Sequence, residues 1–389
     1  MLGGMIDPVA AFGNYLPVRI RFGDGAAATL PDVLADDGLA RPFLLIDRGL
    51  DAIPAIADVV GAVAWAGRYD KAPGEPTDRQ VDECAEALRA SAADSVVAIG
   101  GGSVMDTAKT ARLCVDHGSP YALWASGGRP YPPPVLPLVL IPTTAGTGSE
   151  VSGGAVITNE ATHIKAGIAS PNLRGQHALV DPMLTYGLPR TPTRDAGVDA
   201  LAQAIAAIAV TARTPIGNGI GLEAIRMAAI ALPAVCADGA NHAARQQMAC
   251  VSLMGGLVMN ISDCGSEHSI AQALGGAFGI PHGLTIGLVL AESMNHDRRA
   301  APELFERIAD ALGEPPDRTG DGSRAVRGVK RILREIDFPV LSSIGVTDDQ
   351  LDGLAANAMK DYFITVAPNP WTHADVVACY RAALAITAR

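Results

Sequence analysis

The chain has 389 residues, of which 49% are hydrophobic and 4% aromatic, and its formal net charge is −11. That length supports two domains with cores of their own, and the composition is that of a globular protein, which excludes a disordered or low-complexity chain. The negative balance, with no Lys/Arg-rich cluster to track phosphates, argues against nonspecific nucleic-acid binding.

The opening "MLGGMIDPVAAFGNY" has no basic segment followed by an apolar core, so it does not read as a signal peptide. Short apolar runs then alternate with helical patterns. The segments "VRIRF" (18–22), "RPFLLID" (41–47), "SVVAIG" (95–100) and "LPLVLIPTT" (136–144) predict strands, and "TDRQVDECAEALRASAA" (77–93) predicts a helix with Thr77 as N-cap. This alternation predicts a parallel sheet covered on both faces. "GGRPYPPPVLP" (127–137) reads as a proline-rich loop.

"DPMLTYGLPRTPT" (181–193), with three prolines, marks a boundary, and beyond it every periodic segment is helical, ending with "HADVVACYRAAL" (373–384). The expected organisation is an α/β dinucleotide-binding domain over 1–187 and an all-α metal and substrate domain over 188–389. The stretch His268 to Ala291 carries no Asp, Glu, Lys or Arg, but Gly275-Gly276 and Pro281-His282-Gly283 interrupt it, so no membrane span is expected. Six cysteines without a C-x-x-C spacing read as reduced, buried thiols of a cytoplasmic protein.

Two loops suggest nucleotide chemistry. In "SVVAIGGGSVMDTAK" a strand, a glycine turn and a helix follow one another. Gly100, Gly101 and Gly102 let the backbone approach a ligand, Ser103 is expected to cap the helix that follows, and the free N–H groups at that helix start favour a pyrophosphate. The spacing is not G-x-G-x-x-G. "IPTTAGTGSEVS" (141–152) adds the hydroxyls of Thr143, Thr144, Thr147 and Ser149 at the end of another strand. A nucleotide lying across a doubly wound sheet uses such loops. Asp47, closing its strand, is placed to accept from a ribose diol and to repel a 2′-phosphate, which points to NAD over NADP. Tight turns, surface loops and strand-end aspartates are also ordinary structural features.

A third group suggests metal. Asp199 and Gln203 are four apart on a predicted helix, as are His268 and Gln272, and His282 lies between Pro281 and Gly283 in a turn. His268 is expected early in a short helix that ends at Gly275-Gly276, with His282 following a tight reversal. One carboxylate and two imidazoles from three segments would make a site with open positions, although the spacing alone is not specific.

In chain order, "GGGSVMDTAK", "IPTTAGTGSEVS", "ITNEATHIKA", "LVDPMLTYGLP", "GVDALAQAI", "LEAIRMAAIALP", "EHSIAQALGGAFGIPHG" and "NPWTHADV" resemble the iron-containing, or group III, alcohol dehydrogenase family over nearly the whole chain. The resemblance implies an N-terminal dinucleotide-binding α/β domain and a C-terminal helical domain, the architecture of the dehydroquinate synthase-like enzymes, with the active site between them. It implies reversible oxidation of an alcohol to an aldehyde or ketone, with the metal polarising the substrate. It puts the coenzyme on Asp47, Gly101, Gly102, Ser103, Asp106, Thr143, Thr144, Thr147 and Lys165. It puts the metal and the chemistry on Asp199, His268 and His282.

Two positions depart from the family pattern. Gln203 stands where the fourth ligand is usually histidine, and Gln272 where a second histidine often lies near the nicotinamide. An amide is a weaker ligand than imidazole. The implied cofactors are NAD and one divalent ion, iron or zinc, whose occupancy Gln203 leaves open. Three alternatives follow: a metal-free maleylacetate-type reductase, a hydroxyacid–oxoacid transhydrogenase, and a non-catalytic nucleotide-binding relative. The implied partners are a small alcohol or aldehyde and a second copy in a homodimer, with no nucleic acid and no membrane. Pocket walls carry no motif; Phe278 and Tyr362 are candidates.

Overall fold

The computed structural model describes residues 11–117, 121, 131–162 and 165–386. The first half is built on eight strands: β1 (Arg19–Phe22), β2 (Pro42–Asp47), β3 (Gly67–Lys71), β4 (Ser95–Gly100), β5 (Leu138–Pro142), β6 (Gly154–Thr158), β7 (Lys165–Ala169) and β8 (His177–Val180). Six form one sheet in the order β1-β8-β5-β4-β2-β3, parallel throughout, while β6 and β7 pair as an antiparallel hairpin. Among the described residues four helices accompany them: α1 (Leu30–Asp36), α2 (Pro54–Gly61), α3 (Asp78–Ser91) and α4 (Gly102–Asp116).

The central strands are continuous apolar runs because both faces are covered. Phe43, Leu45, Val96, Ala98, Leu138 and Leu140 pack on one side with residues of α3 and α4. Leu44, Ile46, Val97, Ile99, Val139 and Ile141 pack on the other with residues of α1 and α2. Thr77 caps α3 in a reciprocal pair with Gln80, as its sequence predicts. The strand order reverses between β2 and β4, so their carboxyl ends, at Asp47 and Gly100, flank the crevice where open α/β sheets bind ligands.

The four sequence-predicted strands are present. The sequence reading missed β3, β8 and the hairpin. β3 is "GRYDK", an edge strand with three charges, and β8 is only four residues long. Residues 127–130 of the proline-rich loop lie outside the described residues, and 131–137 are neither helix nor strand.

From residue 190 onward the described residues contain no strand. The helices are α5 (Arg190–Ala209), α6 (Pro215–Ala237), α7 (His242–Ser262), α8 (Ser266–Phe278), α9 (His282–Asp297), α10 (Pro302–Ala311), α11 (Ser323–Glu335), α12 (Leu351–Ala358) and α13 (His373–Leu384). One core joins buried residues from Val198 to Ala383. Small residues bring its helices close: a Cβ on Gly197 would lie 2.4 Å from Leu232 Cδ1, and one on Gly221 3.0 Å from Ala204 O. By length and composition α6 is apolar enough to cross a membrane; here Ala224, Ile225, Ala228 and Leu232 bury one face of it in this core.

Two local expectations change. α8 does not end at Gly275-Gly276 but runs to Phe278, where Gly279 at φ +63° stops it. A glycine inside a helix costs only about 1 kcal/mol, and Gly275 faces the Lys165 ammonium, 3.2 Å from where its Cβ would be. His282 is the first residue of α9 rather than part of a turn, with Pro281 as N-cap.

Candidate active site

The first half of the site is a cradle at the carboxyl ends of β2, β4 and β5. Gly101, not Ser103, is the N-cap of α4: the helix already starts at Gly102, so Ser103 lies inside its first turn, and no side chain caps it. A Cβ on Gly102 would lie 2.7 Å from Thr147 Cγ2, and one on Gly100 2.6 Å from Val104 Cγ2. A Cβ on Gly101 would meet nothing nearer than Thr144 Cγ2 at 3.4 Å, an ordinary contact. The tight positions are therefore Gly100 and Gly102. Ser103 and Thr144 are half-buried at this turn, and Thr143 is buried with its N–H donating to Gly100 O at 3.0 Å.

Asp47 stands beside the turn. Burial pushes its carboxyl up, and Lys71 (Nζ at 4.0 Å) and the Gly101 N–H oppose that shift. Its Oδ1 is buried and has no hydrogen-bond partner. A buried acceptor left unpaired is costly unless a ligand donor meets it.

Asp106 is held by the protein. Its Oδ1 accepts from Ser149 Oγ at 2.7 Å and its Oδ2 from the Val156 N–H at 2.9 Å. Buried Lys109, whose pKa burial pulls down to about 8, donates to Ser149 Oγ, Ser152 Oγ and Gly154 O. Together they fasten the threonine loop to α4. That loop also touches the helical half: a Cβ on Gly148 (φ +59°) would lie 2.4 Å from Gly256 Cα in α7. Lys165, nearly buried on the hairpin, pairs with Glu75 at 3.2 Å.

Three helices supply the second half. Asp199 on α5, His268 on α8 and His282 on α9 converge, and one ligand atom from each lies within 4.8 Å of the others. Asp199 Oδ1 is 3.6 Å from His268 Nε2 and 3.7 Å from His282 Nε2. Asp199 and His268 are buried, while His282 is 29% exposed and marks the open side. A Cβ on Gly283 would lie 2.3 Å from Asp195 O, so this glycine permits α9 to start against α5.

The electrostatics are tightly coupled. Burial would raise the Asp199 carboxyl, but His282 and His268 hold it below its usual range. Burial would lower His268, but Asp199 and Glu267 push it up to about 10. Burial lowers His282 despite Asp199.

Gln203 lies one turn beyond Asp199. Its Nε2 donates to Thr147 O at 3.2 Å, and its Oε1 is buried without a hydrogen-bond partner, as is Asp199 Oδ1, whose neighbours are the two imidazoles beyond hydrogen-bond distance. Two orphaned acceptor oxygens beside two imidazoles fit a divalent cation. Gln272 is half-buried one turn along from His268.

Sequence reasoning missed the groups that fix α8. Glu267 Oε1 is 2.8 Å from His268 Nδ1. Asp297 accepts from Ser266 Oγ at 2.7 Å and from Trp371 Nε1 at 2.9 Å. Phe363 sets its edge against the His268 ring, with centroids 6.1 Å apart, and Tyr362 packs beside Phe363. The only local signal was the adjacency of Glu267 to His268; the rest come together through tertiary folding.

Residues 17–182 match the family model described as iron-containing alcohol dehydrogenase, and residues 193–384 the Fe-containing alcohol dehydrogenase family, C-terminal. The chain is 32% identical to choline dehydrogenase of Bacillus subtilis, covering 92% of this chain and 91% of that one. A solved 1,3-propanediol oxidoreductase superposes with a TM-score of 0.91 at 28% identity, covering 96% of this chain and 100% of that one. Sulfoacetaldehyde reductase from Bifidobacterium kashiwanohense, solved in complex with NAD+, gives a TM-score of 0.89 at 27% identity, covering 97% and 100%.

Proposed function

Because the chain belongs to the iron-containing alcohol dehydrogenase family, we propose that its active site is the cleft between an α/β unit, residues 1–187, and a helical unit, residues 188–389. The protein is an oxidoreductase acting on CH–OH groups, an alcohol dehydrogenase that works as an aldehyde reductase in the reverse direction. Membership of the family implies a nicotinamide coenzyme and a divalent metal. The observation that carries the placement of the chemistry is the convergence of Asp199, His268 and His282 beside two orphaned acceptor oxygens.

We assign the ion to Asp199, His268 and His282, with Gln203 Oε1 as a weak fourth donor. Two imidazoles and a carboxylate suit iron or zinc better than magnesium or calcium. The coenzyme pyrophosphate is assigned to the Gly101–Gly102–Ser103 turn with Thr143, Thr144 and Thr147. Asp106 keeps that loop in place, and Lys165 closes the far side of the cleft. Asp47, with its unpartnered Oδ1, receives the ribose diol and selects NAD over NADP.

When bound, the ion supplies a Lewis acid for the substrate oxygen and the nicotinamide supplies or accepts the hydride. The chain supplies placement. Phe363 and the helix contacts of Asp297 keep His268 fixed, and the exposed edge of His282 leaves one side of the site open. Gln272 has no titratable proton, so the alcohol proton leaves through water at that open side. The named relatives act on small alcohols or aldehydes, and a small primary alcohol or its aldehyde is the proposed substrate.

The test is NADH oxidation by the purified protein against a panel of short aldehydes, beside elemental analysis. NADH consumption by one or more of them, greater than with NADPH, supports the reading. Failure to oxidise NADH with any aldehyde, together with failure to reduce NAD+ with the matching alcohols, sinks it.

A further inference from the structure

The groups outside the ligand set contain one device specific to this site. Glu267 is buried in the first turn of α8, and its Oε1 lies 2.8 Å from His268 Nδ1. Neighbouring residues on a helix normally point apart. Here the carboxylate folds back over the helix start because residue 265 is glycine: a Cβ there would lie 2.3 Å from Glu267 Oε2. Among the described residues no Lys or Arg forms an ion pair with either Glu267 or Asp199; the cationic partners of both carboxylates are histidines.

We propose that Glu267 is a positioning residue for the metal: its carboxylate accepts a hydrogen bond from the Nδ1–H of His268 and thereby presents Nε2, the nitrogen facing Asp199, to a divalent ion. This rests on the metal reading above. A hydrogen bond at Nδ1 fixes the tautomer and the ring orientation and makes Nε2 a stronger donor to a cation. Gln203 in place of an imidazole removes donor strength from the site, and the carboxylate behind His268 restores some of it.

The experiment compares wild type, Glu267→Gln and Glu267→Ala. Each protein is stripped with chelator and titrated with Zn2+ against a competing indicator, and the Co2+ forms are compared by absorption spectrum. NADH binding by fluorescence reports the integrity of the other unit. Glu267→Gln, which keeps size and an acceptor but loses charge, should weaken Zn2+ binding roughly 10- to 100-fold. Glu267→Ala should weaken it further, both should alter the Co2+ bands, and both should bind NADH as wild type does. Equal Zn2+ affinity and Co2+ spectra in wild type and Glu267→Gln would overturn this inference alone. A wild type that binds neither ion while binding NADH would overturn the metal reading and this inference with it. Joint loss of NADH and Zn2+ binding in both variants would make Glu267 a residue of the fold and overturn its positioning role.

Discussion

Gly102→Ala tests whether the glycine turn and the threonine loop form one cradle. The added methyl would sit 2.7 Å from Thr147 Cγ2 and 2.9 Å from Thr147 Oγ1. Carbon atoms pack at about 3.5–4.0 Å, so the loop must retreat by most of an ångström or Thr147 must rotate. Rotation breaks the hydrogen bond that Thr147 Oγ1 accepts from the Ser149 N–H at 3.2 Å. Retreat is opposed by Gly148, which has no space against Gly256. Overpacking of this kind costs about 1–3 kcal/mol, and if it falls on the coenzyme-bound geometry it weakens NADH binding roughly 5- to 150-fold. The assay is NADH fluorescence titration with Gly219→Ala in α6 as control, since a Cβ there meets nothing within 4 Å and lies outside the cradle. Gly102→Ala binding like wild type, or Gly219→Ala binding equally poorly, would refute the reasoning.

Asp47→Gly should reduce the preference for NADH over NADPH by about 1–3 kcal/mol, the worth of a charged acceptor, read as the ratio of kcat/KM for the two coenzymes. Gln203→His should slow loss of metal to a chelator, because imidazole is a better ligand than an amide; unchanged loss would place residue 203 outside the ligand set. Burial raises Asp297 to about 7, above its ordinary unfolded value near 4. The folded state then binds the proton more tightly, so stability declines as pH rises from about 4 to about 7 and levels off above. Glu150, also raised to about 7 by burial, acts in the same direction. Asp297→Asn should flatten the fall in melting temperature between pH 5 and 8, followed by calorimetry.

The parts legible in the sequence are those whose causes are local. Strands β2, β4 and β5 are continuous apolar runs, and each of the loops that follow β4 and β5 keeps its own glycines or hydroxyls within a dozen residues. Thr77 and Gln80 cap α3 through contacts three residues apart. β3 escaped notice because an edge strand tolerates Arg68, Asp70 and Lys71, and β8 because four residues carry little periodicity. The proposed metal ligands were visible as residue types, but their meeting depends on α5, α8 and α9 crossing, which no spacing encodes. Glu267 was hidden by the rule that adjacent helical side chains diverge, a rule that fails here at a helix start preceded by glycine. Asp106 sits in the most recognisable motif, yet its oxygens are taken by Ser149 of the loop and by the Val156 N–H of β6.

The central claim is that a metal held by Asp199, His268 and His282 is needed for hydride transfer while the coenzyme is held elsewhere. The direct measurement is aldehyde-dependent NADH oxidation, NADH binding and metal content, made on the same samples of wild type and His282→Ala before and after exhaustive chelation. The account predicts that chelated wild type and His282→Ala both lose metal and activity, that both still bind NADH, and that Fe2+ or Zn2+ restores the chelated wild type but not His282→Ala. Undiminished NADH oxidation by wild type with no metal detectable by mass spectrometry would contradict it.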